Sequence, residues 1–333
     1  MYQTICVIIF IFYTGTSDSP RQKRKRNSPK RKRKRKYQWR NRRIYDEAIN
    51  MNNREFLRRF RVSKQTFNVL LELIRDKLQT AGSTNGKSVS PEEKLLIFLF
   101  SAGSGISNFN AAYAHNCSEG VIHNSIDKVM EAIMSEVVPK YICLPTPEEA
   151  MKEARLFQER SNFPPKPHQP IVWGAIDGTH VCVSPPEDKR IECINRHRTH
   201  SLNCMILAGA SFKIYACSTN AMGAQHDSRV YRNSDLYKAL HEENFKPIPN
   251  GIIIGDQGYP DKDPNIGTPF MEGTALNDEA QTEYNKAFIP CRLPAEQSIG
   301  VWKARFPPLR KGLEFSDLDR CSMFCQCCIG IYS

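Results

Sequence analysis

Three carboxylates in this chain fall where a charge is costly. Asp177 sits inside Ile171 to Val183 (IVWGAIDGTHVCV), where 11 of 13 residues are apolar, Gly or Thr. Such a run reads as a strand buried on both faces. An ionised carboxylate alone there costs several kcal/mol, so it must be paired, protonated or bound to a cation. An Asp-Gly pair can also simply cap a turn. Apolar residues continue past this one (Val181, Cys182, Val183), which favours a charge held at a site. Asp256 ends a second short β-branched strand, Gly251 to Asp256. Glu296 lies in a stretch where Ala295, Ile299, Trp302 and Phe306 form one helical stripe. It stands at the edge of that stripe, and Gly300 leaves room one turn on. Two strand aspartates and a helix glutamate are the oxygen ligands that a pair of Mg²⁺ ions needs, with positions left for water and phosphate. Lys303, on the same flank, and Arg305 are candidates to neutralise phosphates.

The elements that must position these acids follow from the apolar periodicity. Leu202 to Gly209 and Phe212 to Cys217 read as a hairpin after the first strand. Gly258-Tyr259-Pro260 turns the chain after Asp256, and residues 261–283 are polar and loop-like. Upstream the period is helical. Over residues 44–80, Phe56, Phe60, Phe67, Leu70, Leu71 and Ile74 recur at helical spacing, with Ser63 as an N-cap between two helices. The Gly/Ser/Asn patch at 82–86 is a loop. Ser90-Pro91-Glu92-Glu93 then starts a helix that is apolar all round and ends at Gly103 and Gly105. Residues 107–138 read as helix, turn, helix, with Ile122, Ile126, Val129 and Ile133 buried and His123, Asn124 and Lys128 opposite. That is compatible with a helix-turn-helix reading a major groove and equally with an ordinary helical hairpin. A connector with four prolines, Phe163 to Pro170, marks a domain boundary.

The net charge of +12 is concentrated in a tail. Residues 21–36 hold 12 of the 47 Lys and Arg and no acid, which leaves 35 basic against 35 acidic residues elsewhere. The run Lys23, Arg24, Lys25, Arg26, then Lys30, Arg31, Lys32, Arg33, Lys34, Arg35 and Lys36 reads as a nuclear-localisation signal or a phosphate-binding arm. Before it, Cys6 to Tyr13 is an apolar run of eight, too short to span a bilayer and without the basic start of a signal peptide. The 12 cysteines are scattered, and several fall in strand-like runs (Cys182, Cys204, Cys217). Without a second CxxC unit a zinc ribbon is unsupported, so they read as reduced, mostly buried thiols of an intracellular protein.

The motifs AIDGTHV, NRHRTHSLN, GAQHDSRVYRNS, IIIGDQGYP, YNKA and EQSIGVWKARF, in this order, resemble the DDE endonuclease domain of PIF/Harbinger-type transposases and the Harbinger transposase-derived nucleases. The likeness runs from about residue 50 to 315, since REFLRRFRVSKQTF and SPEEKLLIFLFSAG resemble that family's helical N-terminal region. The resemblance implies an α/β (α+β) fold: an RNase H-like mixed five-stranded sheet flanked by helices, preceded by an all-helical N-terminal domain. It implies metal-binding acids at Asp177, Asp256 and Glu296, with Asp227 of the HDSR motif as a further candidate that either ligates metal or orients Arg229 and His226. His180 would contact phosphate or fix the strand end, and Arg196 and His200 fall in a family-like motif, although His197 stands where Lys is usual. The implied cofactor is Mg²⁺ or Mn²⁺. The implied partners are DNA, a separate Myb-like DNA-binding protein and a second copy of the chain, with no membrane, and the implied location is the nucleus, with the cytoplasm as an alternative.

Two features depart from the family pattern: the long basic start, and Cys321 to Ser333, which begins like the family's last helix and stops early. Cys325, Cys327 and Cys328 read as part of a Cys-rich core helix rather than a metal cluster. The expected organisation is therefore a basic tail over 1–43, a helical domain over 44–168, the endonuclease domain over 169–315 and a shortened C-terminal helix over 316–333. The expected activity is metal-dependent cleavage of DNA phosphodiester bonds. Its rivals are a non-cleaving DNA-binding or scaffold protein that keeps the fold, and a secreted Cys-rich protein.

Overall fold

The computed structural model of the chain describes residues 43–79, 89–161, 170–271, 278–315 and 317–333. The apolar start, the basic tail, the loop at 82–86 and the Pro-rich connector up to residue 169 lie outside the described residues.

The first half of the chain is helical, and its helices begin where side chains can satisfy the free N–H groups of a first turn. The helices are α1 (Arg43–Asn50), α2 (Asn53–Phe60), α3 (Lys64–Leu78), α4 (Pro91–Ser104), α5 (Asn108–Ala114), α6 (Glu119–Glu136), α7 (Val138–Tyr141) and α8 (Pro147–Ser161). Asn52 and Glu55 form a capping box on α2, Ser63 caps α3, and Ser90 and Glu93 form a second box on α4 with Pro91 in the first turn. The N-caps expected at Ser63 and Ser90 are thus both made.

The second half carries the sheet. Its strands are β1 (Ile171–Cys182), β2 (Ser201–Ala208), β3 (Ile214–Met222), β4 (Gly251–Ile254) and β5 (Ile266–Gly267), in the order β3-β2-β1-β4-β5. The first three form an antiparallel meander, and β4 and β5 add in parallel. This is the mixed five-stranded sheet expected from the resemblance, flanked by helices in the RNase H-like manner. Residues 261–283, read as loop from their polarity, in fact supply the short β5 and the start of a helix. After β3 come α9 (Asp227–Arg232) and α10 (Asp235–His241), and after β5 come α11 (Glu279–Arg305), α12 (Pro308–Lys311) and α13 (Leu318–Tyr332).

Every residue of β2 is buried, so both faces of the central sheet are covered. Alternation sorts its side chains. Leu202, Cys204 and Ile206 join the core formed with the N-terminal helices, α13 and the end of α11. Met205 and Leu207 join the core formed with α9 and α10. A third cluster, with Phe157, Val172, Ala175, Ile254, Phe288 and Ala295, seats α8 and α11 on β1 and β4. The helical half and one face of the sheet therefore share a single apolar core. Within it α13 buries Cys321, Cys325, Cys327 and Cys328 together with Phe324 and Ile329.

Candidate active site

The site lies where β1 and β4 run side by side. Their parallel register pairs Ala175 with Ile254, so Asp177 on β1 comes level with Asp256 just past the end of β4. Asp177 has the strand parity of Ala175, which faces α11, and α11 brings Glu296 to that side. Gly178 has the opposite parity and meets Asp227, the first residue of α9. Glycine is required there by proximity: a Cβ on Gly178 would collide with Asp227 Oδ1. A Cβ on Gly258 would lie 2.9 Å from Asp256 Oδ1 and 3.4 Å from Asp227 Oδ2, so those two carboxylates flank that glycine. The four acids thus reach one end of the β1–β4 pair from both faces of the sheet.

Each acid has a distinct environment. Burial raises the Asp177 carboxyl to about 6; the Arg292 guanidinium opposes that, while Asp256 and Glu296 add to it. Asp227 Oδ1 accepts from Asn203 Nδ2 at 2.8 Å, which fixes one oxygen and leaves Oδ2 turned toward Gly258. Asp256 Oδ1 accepts from the Gly258 N–H at 2.8 Å. Glu296 is the most open of the set, with 47% of its side chain exposed. Buried against the cluster, the Tyr259 phenol is held well above its ordinary range, first by burial and then by Asp227, Asp177 and Asp256.

Sequence reasoning missed Arg292. It stands one helical turn before Glu296 on α11, and its Nη2 lies 3.3 Å from Glu296 Oε1 and 3.8 Å from Asp177 Oδ1. The signal was the Arg-x-x-x-Glu spacing. It was hidden because Pro290 and Pro294 argue against a helix that nevertheless runs through both. Asn203 was missed too, although a polar residue in the middle of LNCMILA was its own signal.

The remaining candidates separate into exposed and engaged groups. Arg196 and the adjacent Arg198 are exposed on a loop pinned by Asn195, whose side chain accepts from the His197 and Thr199 N–H groups and donates to Thr199 and Ser201. His180 bonds Ser201 Oγ at 3.0 Å, and burial lowers its pKa against the pull of Asp227. Arg196 and His197 also act on it electrostatically, so the basic loop borders His180. His226 and Arg229 are exposed at α9. Lys303, by contrast, donates to Thr179 Oγ1 at 2.8 Å and the His180 carbonyl at 2.6 Å, and Arg305 Nε donates to the Arg61 carbonyl at 2.8 Å. Both cations, expected to face phosphate, tie α11 to its neighbours, and burial lowers the pKa of each. The helix α6 packs against α3, α4, α5 and α13. Of its three proposed reading residues, Asn124 is exposed, Lys128 is half-buried, and His123 is half-buried against Asn108 and Arg320.

The donor chemistry fits a hard divalent cation: carboxylate oxygens, the buried Asn203 Oδ1 and Tyr259 hydroxyl without hydrogen-bond partners, and an Asp whose charged form is disfavoured until a cation arrives. As they stand, among the described residues, no three acid, His or Cys side chains are close enough to enclose an ion. A guanidinium lies between two of the acids instead.

Residues 176–332 match the family described as DDE superfamily endonuclease. That match runs from the middle of β1 to α13. Residues 38–135, upstream of it, match a domain of unknown function. The likeness to Harbinger transposase-derived nucleases read from the motifs is borne out. A rat (Rattus norvegicus) protein named "Putative nuclease HARBI1" is 25% identical over 270 residues, covering 80% of this chain and 73% of the relative. The human (Homo sapiens) and Xenopus laevis proteins of the same name are each 22% identical, over 270 and 248 residues. The human match covers 80% of this chain and 73% of the relative, and the Xenopus match 73% and 67%. No solved structure gives a significant match. Among the described residues, no helix is long and apolar enough to cross a membrane.

Proposed function

We propose that this chain is a divalent-metal-dependent DNA endonuclease of transposase ancestry. The observation that carries the reading is the gathering of Asp177, Asp256, Asp227 and Glu296 at one end of β1 and β4, with the Arg292 guanidinium beside Asp177 and Glu296. Asp177 and Asp256 would hold one Mg²⁺ or Mn²⁺, Glu296 would reach a second, and Asp227 would offer its remaining oxygen from the other face. Ions held there would supply Lewis-acid chemistry, lowering the pKa of an attacking water or 3′-hydroxyl and neutralising charge on the leaving oxygen.

The chain's own part is to keep these carboxylates ready and the DNA in place. Titrating near 6, Asp177 is largely ionised at neutral pH. Asn203 orients Asp227, and Lys303, anchored to the β1 backbone, sets the position of the helix that presents Glu296. The exposed Arg196 and Arg198, with His226 and Arg229, would track the DNA phosphates beside the acids. A nuclear location, carried by the basic run at 23–36, and a Myb-like partner that supplies target recognition complete the proposal. The N-terminal helices would then serve chiefly to brace the sheet, as their shared core supports.

The test is cleavage of supercoiled or end-containing DNA in Mg²⁺ or Mn²⁺. Wild type should nick it, and Glu296→Gln should lose activity by two or more orders of magnitude on the scale of a lost metal-site contribution, roughly 10²-fold or more. Full activity in Glu296→Gln, or equal DNA binding with and without metal and no nicking by wild type, would overturn the reading in favour of a non-cleaving DNA-binding protein.

A further inference from the structure

Two acids of the site, Asp177 and Glu296, share a guanidinium that they hold only loosely. Arg292 is 26% exposed, its Nη2 is 3.3 Å from Glu296 and 3.8 Å from Asp177, and its Nε is buried with no hydrogen-bond partner. A guanidinium with five donors that is locked in place makes bidentate, fully satisfied contacts. This one is placed mainly by attraction to two carboxylates. The helical turn that carries it lies between Pro290 and Pro294. Neither proline has an N–H, so the carbonyls of Lys286 and Pro290 lack their intrahelical donor, and the turn is less firmly tied than its neighbours. Meanwhile the acids stand too far apart to enclose an ion among the described residues.

We propose that Arg292 is a built-in counter-cation: it occupies the acid site of the metal-free protein and competes with the divalent ion for Asp177 and Glu296. This rests on the reading of those acids as metal ligands. The physical need is plain. Without a cation, carboxylates gathered at the edge of a buried strand repel one another and lose hydration. Arg292 relieves that, and for the same reason it must give way when a divalent ion enters, because two cations cannot share the site without repulsion. The residue therefore sets metal affinity rather than performing the chemistry.

Mn²⁺ binding to the full chain, followed by the electron paramagnetic resonance of free Mn²⁺, tests this in wild type, Arg292→Gln, Asp177→Asn and Glu296→Gln. Arg292→Gln should bind Mn²⁺ at least roughly tenfold more tightly, as expected when a cation is removed from within a few ångströms of a divalent ion. Its melting temperature without metal should fall, and its Mn²⁺-induced rise should exceed that of wild type. Unchanged or weaker Mn²⁺ affinity in folded Arg292→Gln overturns the proposal. If that variant does not fold, the wild-type protein labelled with ¹⁵N-arginine decides. One arginine Nε–H resonance, absent from Arg292→Lys, should shift as Mg²⁺ is added, and an unchanged arginine spectrum through saturation overturns the proposal. If Asp177→Asn loses Mn²⁺ while Arg292→Gln matches wild type, the counter-cation alone falls. If Asp177→Asn and Glu296→Gln both bind Mn²⁺ like wild type, the metal-site reading falls with it.

Discussion

At the scale of single residues, the site is organised by what burial does to Asp177. Its carboxyl titrates at about 6 against 3.8 for an unperturbed group, and burial is the main cause. The sign follows directly. Between about pH 4 and 6 the folded state binds more protons than the unfolded state, so the metal-free fold loses stability as pH rises through that window. The loss is at most about 3 kcal/mol, and Arg292 has already reduced it. Urea unfolding at pH 5 and pH 7 should show the metal-free wild type gaining less stability with pH than Asp177→Asn, and saturating Mn²⁺ should remove the difference. Identical pH dependence in the two proteins would mean that Asp177 carries no such burden. Asp177 and Asp256 were legible in the sequence because a charge inside or at the end of a β-branched run contradicts its surroundings. Arg292 was not, because charge next to proline is ordinary in a loop, and its meaning depends on a helix that the prolines argue against.

At the scale of elements, α11 is the part that aligns the site, and its cations divide by role. The stripe Ala295, Ile299, Trp302 and Phe306 is buried as its spacing predicts. The fate of Lys303 could not be read from spacing, since a lysine at the edge of a buried stripe can face solvent or fold back onto a strand. Here it folds back onto Thr179 and His180. Lys303→Met should therefore destabilise the protein by about 1–3 kcal/mol through unpaired half-buried acceptors, with the salt dependence of DNA binding unchanged. Arg196→Ala/Arg198→Ala should do the reverse: stability held within about 0.5 kcal/mol, as for surface changes, and a slope of log affinity against log salt that falls by roughly 2. A filter-binding salt titration paired with urea melts separates the two. The positions of β4 and of the N-caps at Ser63 and Ser90 were legible from local chemistry alone. The short β5 was not, because two residues carry no periodicity.

Across the whole molecule, the helical half and one face of the sheet are one packing unit. Val181, Leu202, Cys204 and Ile206 share a core with Phe60, Leu95, Ile126 and the C-terminal helix α13. The composition pointed to buried, reduced cysteines, and the described cysteines are all free thiols, with Cys193, Cys204, Cys291, Cys321, Cys325, Cys327 and Cys328 buried. Burial pushes Cys321 and Cys217 up to about 12 and raises Cys327 and Cys328, while a hydrogen bond with Cys204 and then burial raise Cys325. In native protein the exposed Cys143 should therefore react with a thiol reagent at least about a hundredfold faster than the α13 thiols, since the reagent reaches an exposed thiol directly and a buried one, whose reactive thiolate form is disfavoured, only when the core opens. Comparable rates would mean that α13 is not part of the core. What the sequence could not convey at this scale is how far the helices and the sheet depend on each other, because a shared core is a property of long-range packing.

The central claim is that Asp177, Asp256 and Glu296 hold a divalent ion at the end of β1 and β4. Iron-mediated self-cleavage reads that location directly: Fe²⁺ in place of Mg²⁺, with ascorbate and peroxide, generates hydroxyl radicals that cut the backbone beside the bound ion. The account predicts fragments ending near residues 177, 256 and 296, suppressed by excess Mg²⁺ and absent in Asp256→Asn. Fragments clustered elsewhere, or an Asp256→Asn pattern identical to wild type, would contradict it.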